Sequence, residues 1–147
     1  MTSFPPINRF SIVKMAKWIE NGISSGAHVV PGRLPRVPNR VVGVTSLQGP
    51  GLDFDTLFDA VGFRIDCRGA ENNIEDAENI AYEIDNLILN APDGFIIGTE
   101  ENGVWCNEMG RRGSGPAQLG AVPDSESRFT FVCSYYAKVS TNVGQVN

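Results

Sequence analysis

Between Val61 and Ile88, in VGFRIDCRGAENNIEDAENIAYEIDNLI, the apolar period changes across a single glycine from two residues to about 3.6. Val61, Phe63, Ile65 and Cys67 alternate with Gly62, Arg64, Asp66 and Arg68, which predicts a strand with one covered and one open face. A helix then starts at Asn72 or Asn73. Either can cap its free amides, with Glu75 or Asp76 three residues on to complete a capping box. Glu75, Asp76 and Glu78 also suit the positive end of the helix dipole. Ile74, Ala77, Ile80, Ala81, Ile84, Leu87 and Ile88 fall on one helical face. A one-sided strand followed directly by a one-sided helix requires the helix to lie on a sheet.

The rest of the chain is read around that unit. A first helix is expected from about Pro6 to Asn21, with Ile7, Phe10, Val13, Met15, Ala16 and Ile19 as its stripe, Trp18 extending it and Gly22 as its stop. Three prolines and scattered glycines make Gly22 to Asn39 an extended loop. RVVGVTSL reads as a strand and QGPGLDFD as a turn; GFIIGT and GVWCN read as two short strands joined at Glu101, Asn102 and Gly103. The last strand, RFTFVCSYYAKVS, alternates throughout and is preceded by a second long loop, 108–127. The expected architecture is therefore α+β: a single small domain of 147 residues with two helices on a mostly antiparallel, mixed sheet of four to five strands, two long loops and a flexible tail at 141–147.

Charge is segregated along the chain. Residues 1–52 carry Arg9, Lys14, Lys17, Arg33, Arg36 and Arg40 against Glu20 alone, whereas fourteen acids face only Arg64 and Arg68 in residues 53–110. The segments either neutralise one another within a monomer or meet between copies, where complementary charge steers association and fixes register. No apolar run spans a bilayer and Met1 to Phe4 lacks the pattern of a signal peptide, so an intracellular product is expected. The three cysteines, Cys67, Cys106 and Cys133, form no CxxC pair and read as buried thiols rather than a disulfide framework or zinc site.

Reaction chemistry has little to build on. His28 is the one histidine and lies in a Pro/Gly loop with no nucleophile motif near it. CRGAEN has a single glycine at a strand-to-helix turn, without the repeated glycines of GxGxxG or the Gly-Lys-Ser/Thr of a P-loop, and its acids repel phosphate. Arg111 and Arg112 in GRRGSG could touch nucleic-acid phosphates, but make a small footprint in an acidic chain. No catalytic residue, cofactor or metal is expected. A different class, a small ligand-binding or enzymatic domain, would use Arg64, Asp66 and Arg68 on the open strand face and would need them to line a pocket.

The order of these elements resembles the tail terminator proteins of long-tailed bacteriophages, a family that overlaps with minor capsid and head-tail joining proteins. The resemblance is carried by PGRLPRVPNRVVGV, by VGFRIDCRG followed by DAENIAYEIDNLIL, and by RFTFVCSYYAKV, and covers about residues 6–140. It implies a structural virion protein. Copies would form a ring, usually a hexamer, on the last layer of the tail tube, stop its polymerisation and supply the surface that joins the head. Its expected partners are further copies of itself, the major tail tube protein and a head-tail connector protein, with DNA passing through the lumen and no membrane contact. Assembly would occur in the host cytoplasm, at the head-proximal end of the tail. The alternative within this setting is a neck protein on the head side of the joint. The resemblance and the charge segregation together make Arg33, Arg36, Arg40, Arg64, Asp66, Arg68, Arg111 and Arg112 the candidate interface residues.

Overall fold

The computed structural model describes residues 9–53, 58–99 and 102–140. Pro6 to Asn8 of the expected first helix, Glu101 of the expected hairpin turn and the 141–147 tail lie outside them. The elements run α1 (Ile12–Gly22), β1 (His28–Pro31), β2 (Val41–Asp53), β3 (Phe58–Arg68), α2 (Ile74–Leu89), β4 (Phe95–Ile97), β5 (Val104–Arg111), β6 (Ala117–Gln118) and β7 (Thr130–Ser140).

All strands join one curled sheet of seven strands in the order β1-β2-β3-β7-β5-β4, with β6 paired to β7 beside this path. The expectation of four to five strands is therefore wrong, for reasons visible at each missed element. β1 is four residues of the supposed 22–39 loop, ending on Pro31 at a sheet edge where a missing donor is tolerated. It runs parallel to β2, so Gly32 to Arg40 is the crossover that parallel neighbours require. β2 continues through Gln48, Gly49 and Pro50, read as a turn, because the register shifts between Leu47 and Gly51 and absorbs them. A second shift between Cys106 and Glu108 hides the continuation of β5 into the supposed 108–127 loop, which also holds β6.

The core lies between the helices and one sheet face. Phe63, Ile65 and Cys67 of β3 and Phe131, Cys133 and Tyr135 of β7 meet Met15, Ala16 and Ile19 of α1 and Ala77, Ile80, Ala81, Ile84 and Ile88 of α2. Each fully buried Ile, Phe or Met side chain among them contributes about 1.5–3 kcal/mol relative to exposure. Phe63 stacks on Tyr135 with ring centroids 5.6 Å apart. α1 touches both β1 and β4, so it closes the curl between the two sheet edges. It begins at Ile12, where the Ser11 hydroxyl accepts from the Val13 N–H, later than the proline-based reading placed it. Val13, assigned to the stripe, is 61% exposed. In α2 the cap is Asn73, which accepts from the Asp76 N–H at 3.0 Å. Asp76 does not reach back to complete a capping box; it accepts instead from the Ala70 N–H and from Arg40. Ile74, also assigned to the buried face, is 41% exposed.

Candidate functional site

The face of β3 that carries Arg64, Asp66 and Arg68 points away from the helices, and the crossover folds over its far end. Arg68 and its neighbour Arg128 are each only 5% exposed. Arg68 donates from Nε to the Asn39 carbonyl (3.0 Å) and from Nη2 to the carbonyls of Pro35 (2.6 Å), Arg36 (3.2 Å) and Pro38 (2.7 Å). Arg128 donates to the Arg36 carbonyl and the Asn39 side chain, and pairs with Asp124 at 3.0 Å and Glu126 at 2.9 Å. A planar, always-charged fork suits this task, since it presents several donors in one rigid arrangement. Burial lowers the Arg68 pKa, as does the charge of Arg128, while Asp124 and Glu126 oppose the shift. The two acids thus offset two guanidinium groups taken out of water side by side.

The outcome is a surface made of two loops bound to each other and to the sheet. Arg36 reaches across to Glu126 at 3.1 Å. Arg40 ties the end of the crossover to the start of α2 through Asp76 (3.0 Å) and to the Ser25 carbonyl (2.8 Å). Burial opposes ionisation of Asp76, but its hydrogen bonds from Arg40 and Ala70 and the charge of Arg40 win and lower its pKa. Glu83 of α2 similarly holds the segment before β1, accepting from the Ser24 hydroxyl (2.9 Å) and the N–H groups of Ser24 and Ser25. Upon this braced base stand Val37 (71% exposed), Val122 (74%) and Leu119 (49%). Arg33, at the start of the crossover, is exposed and has no hydrogen-bond or ion-pair partner among the described residues.

The other sequence-derived candidates are dispersed. Arg64 and Asp66 pair with one another at 2.7 Å along β3. Arg112 donates to the Gln48 carbonyl at 2.7 Å, crossing the strand surface where Gly62 has no side chain to block it. Arg111 points to the helix side instead, where it pairs with Asp85 of α2; Asp85 also accepts from the Tyr135 hydroxyl at 2.9 Å. The Arg111 hydrogen bond, reinforced by Tyr135 and the Arg111 charge against burial, holds the Asp85 carboxyl below the usual range. Arg36 and Arg68 therefore come together at the loop surface and Arg40 sits where the crossover joins α2, whereas Arg64, Asp66, Arg111 and Arg112 serve separate contacts and Arg33 makes none among the described residues. Sequence reading assigned Arg128 to the open side of an alternating strand and so missed its burial. The only local signal is the acid four residues before it, in DSESR.

An open cleft of about 550 Å³ lies elsewhere, between α1 and the β4–β5 turn, with Lys14, Lys17, Trp18, Val29, Thr99 and Asn102 among its lining. None of Arg64, Asp66 and Arg68 lines it. All three cysteines are free and buried. Burial pushes the Cys106 thiol up to about 12, and raises Cys67 and Cys133 as well. Among the described residues no group of three or more His, Cys, Asp or Glu side chains is placed to hold a metal ion, and no helix is long and apolar enough to cross a membrane.

No family model matches this chain, and no curated protein matches it. Five solved chains do match in structure. One of them, whose name carries no functional description, is 12% identical over 86% of this chain and 88% of its own length, with a TM-score of 0.49.

Proposed function

We propose that this chain is a structural subunit that assembles on the end of a bacteriophage tail tube, terminates the tube and presents the surface that joins the head. The observation that carries the reading is the loop surface: two buried arginines hold the backbone on either side of the exposed Val37 in place on the open side of the sheet. A loop that only connects elements needs no such bracing. One that contacts a partner gains from being ordered in advance, because the entropy of ordering it is no longer subtracted from binding. The sequence resemblance to tail terminators supplies the kind of partner, and the crossover that carries much of the resemblance, PGRLPRVPNR, is the segment that forms this surface.

Electron microscopy of virions assembled without the protein tests the reading. Tails of uncontrolled length, or tails detached from heads, are the expected result; normal-length tails joined to heads would remove it. Binding of the purified chain to connector complexes but not to tube subunits would move it to the head side of the joint.

A further inference from the structure

β1 and β4 are the two edges of the sheet, and α1 lies across the gap between them. The cleft of about 550 Å³ opens there, lined by Val29 and Pro31 of β1, by Gly98 and Thr99 just past β4, and by one side of α1. Two features of this cleft lack partners. Val13, in the first turn of α1, is 61% exposed. The N–H groups of His28 and Gly32 donate to the carbonyls of Arg40 and Val44, so in the alternating ladder the N–H and carbonyl of Val29 point away from β2. They have no hydrogen-bond partner among the described residues, although Val29 is only 6% exposed. A backbone amide so placed ordinarily has one.

We propose that the chain's own residues 4–7, Phe-Pro-Pro-Ile, occupy this cleft. The described chain starts at its rim: Lys14, which lines the cleft, donates from Nζ to the Arg9 carbonyl at 2.9 Å. Residues 1–8 lead away from that point. At roughly 3.3 Å per extended residue they reach about 26 Å, whereas the cleft follows α1 from Val13 to Asn21, about 12 Å at the helical rise. Composition matches as well. The lining is apolar at Val13, Trp18, Val29 and Pro31, and its Lys17 and Glu20 carry opposite charges. MTSFPPIN supplies Phe4 and Ile7 and has no charged side chain, so it covers the apolar lining without burying an unbalanced charge. Pro5 and Pro6 fix their own φ and restrict the residue before each, which lowers the entropy lost on docking. They also bring carbonyl acceptors for the Val29 N–H without adding donors that would need partners. The cleft is then filled from within the chain, and α1 is held against both edges of the sheet.

NMR spectroscopy of the full-length chain tests the inference. Nuclear Overhauser contacts from Phe4 or Ile7 to Val13 and Trp18 are expected within one chain. The Val29 amide should exchange about tenfold or more slowly in the wild type than in the double variant Phe4→Ser, Ile7→Ser. Val13→Ser changes the cleft from its other side and should release the same amide. In both variants the amides of α2 should stay protected, which shows that the fold is intact. Absence of any contact from residues 4–7 to the cleft overturns the inference. So does a Val29 amide that either variant leaves slow, and so do contacts found only between differently labelled chains, which would put a second copy in the cleft. None of these readouts involves tube subunits, so the inference stands or falls apart from the tail reading.

Discussion

On one side of the sheet, α1 and α2 bury Met15, Ile80 and Ile84 against Phe63 and Tyr135; on the other, a proline-rich crossover is fastened by hydrogen bonds from Arg68 and Arg128. The first covering is apolar and non-directional, so many side chains of suitable volume can contribute to it. The second depends on a few polar groups in fixed geometry, and each becomes costly when its partner is removed. The helix side therefore sets stability across the whole domain. The loop side determines the shape of one surface while adding less to the stability of the rest.

That contrast can be broken or sharpened by substitution. Phe63→Ala removes the ring that stacks on Tyr135 at the centre of the core and should lower unfolding free energy by about 4 kcal/mol in denaturant titration. A loss below about 1 kcal/mol would mean that the helix side is not the dominant store of stability. Arg68→Ala leaves the carbonyls of Pro35, Arg36, Pro38 and Asn39 without their donor and should cost about 3 kcal/mol. Its distinguishing sign is local: proteolysis within Gly32 to Arg40 should accelerate while the amides of α2 stay protected from exchange. Arg68→Lys should restore little of that protection, since a point charge cannot replace the fork.

The Asp85 cluster links the two layers through side chains, and its contribution should depend on pH. Its carboxyl is held low in the folded state by Arg111, so the stabilisation is complete above the unfolded value of about 3.9 and is lost as pH falls through the folded value. Asp85→Asn should be less stable than wild type by about 2 kcal/mol near neutrality, with the gap narrowing below about pH 4. A gap unchanged at acid pH would show that the charged form is not what Arg111 and Tyr135 recognise. The smallest effect is expected on the open strand face. Arg64→Ala removes a pair whose members are 37% and 22% exposed and should change stability by less than about 1 kcal/mol.

The same contrast explains which parts of the structure were legible in the sequence. β3, its glycine corner, α2 and β7 were readable because burial on one side writes a period into the apolar residues. Asn73 was readable as one of two candidate caps. β1, β6 and the end of β5 were not, because they are short, occur beside prolines and glycines, or follow a register shift that resets the alternation. Polar fastening leaves no period at all. Arg68 occupies an outward position of β3 and Arg128 lies two residues before β7, and both look solvent-facing until the crossover covers them. Likewise Ile74 fits the helical stripe by spacing yet remains 41% exposed at the first turn, outside the core.

Mass in solution, measured for the purified chain with and without phage tail-tube subunits, tests the proposed assembly role most directly. A tail terminator predicts a defined, higher-mass complex that forms on tube ends and stops their growth. A chain that keeps its own mass in the mixture, while tubes continue to lengthen, would contradict it.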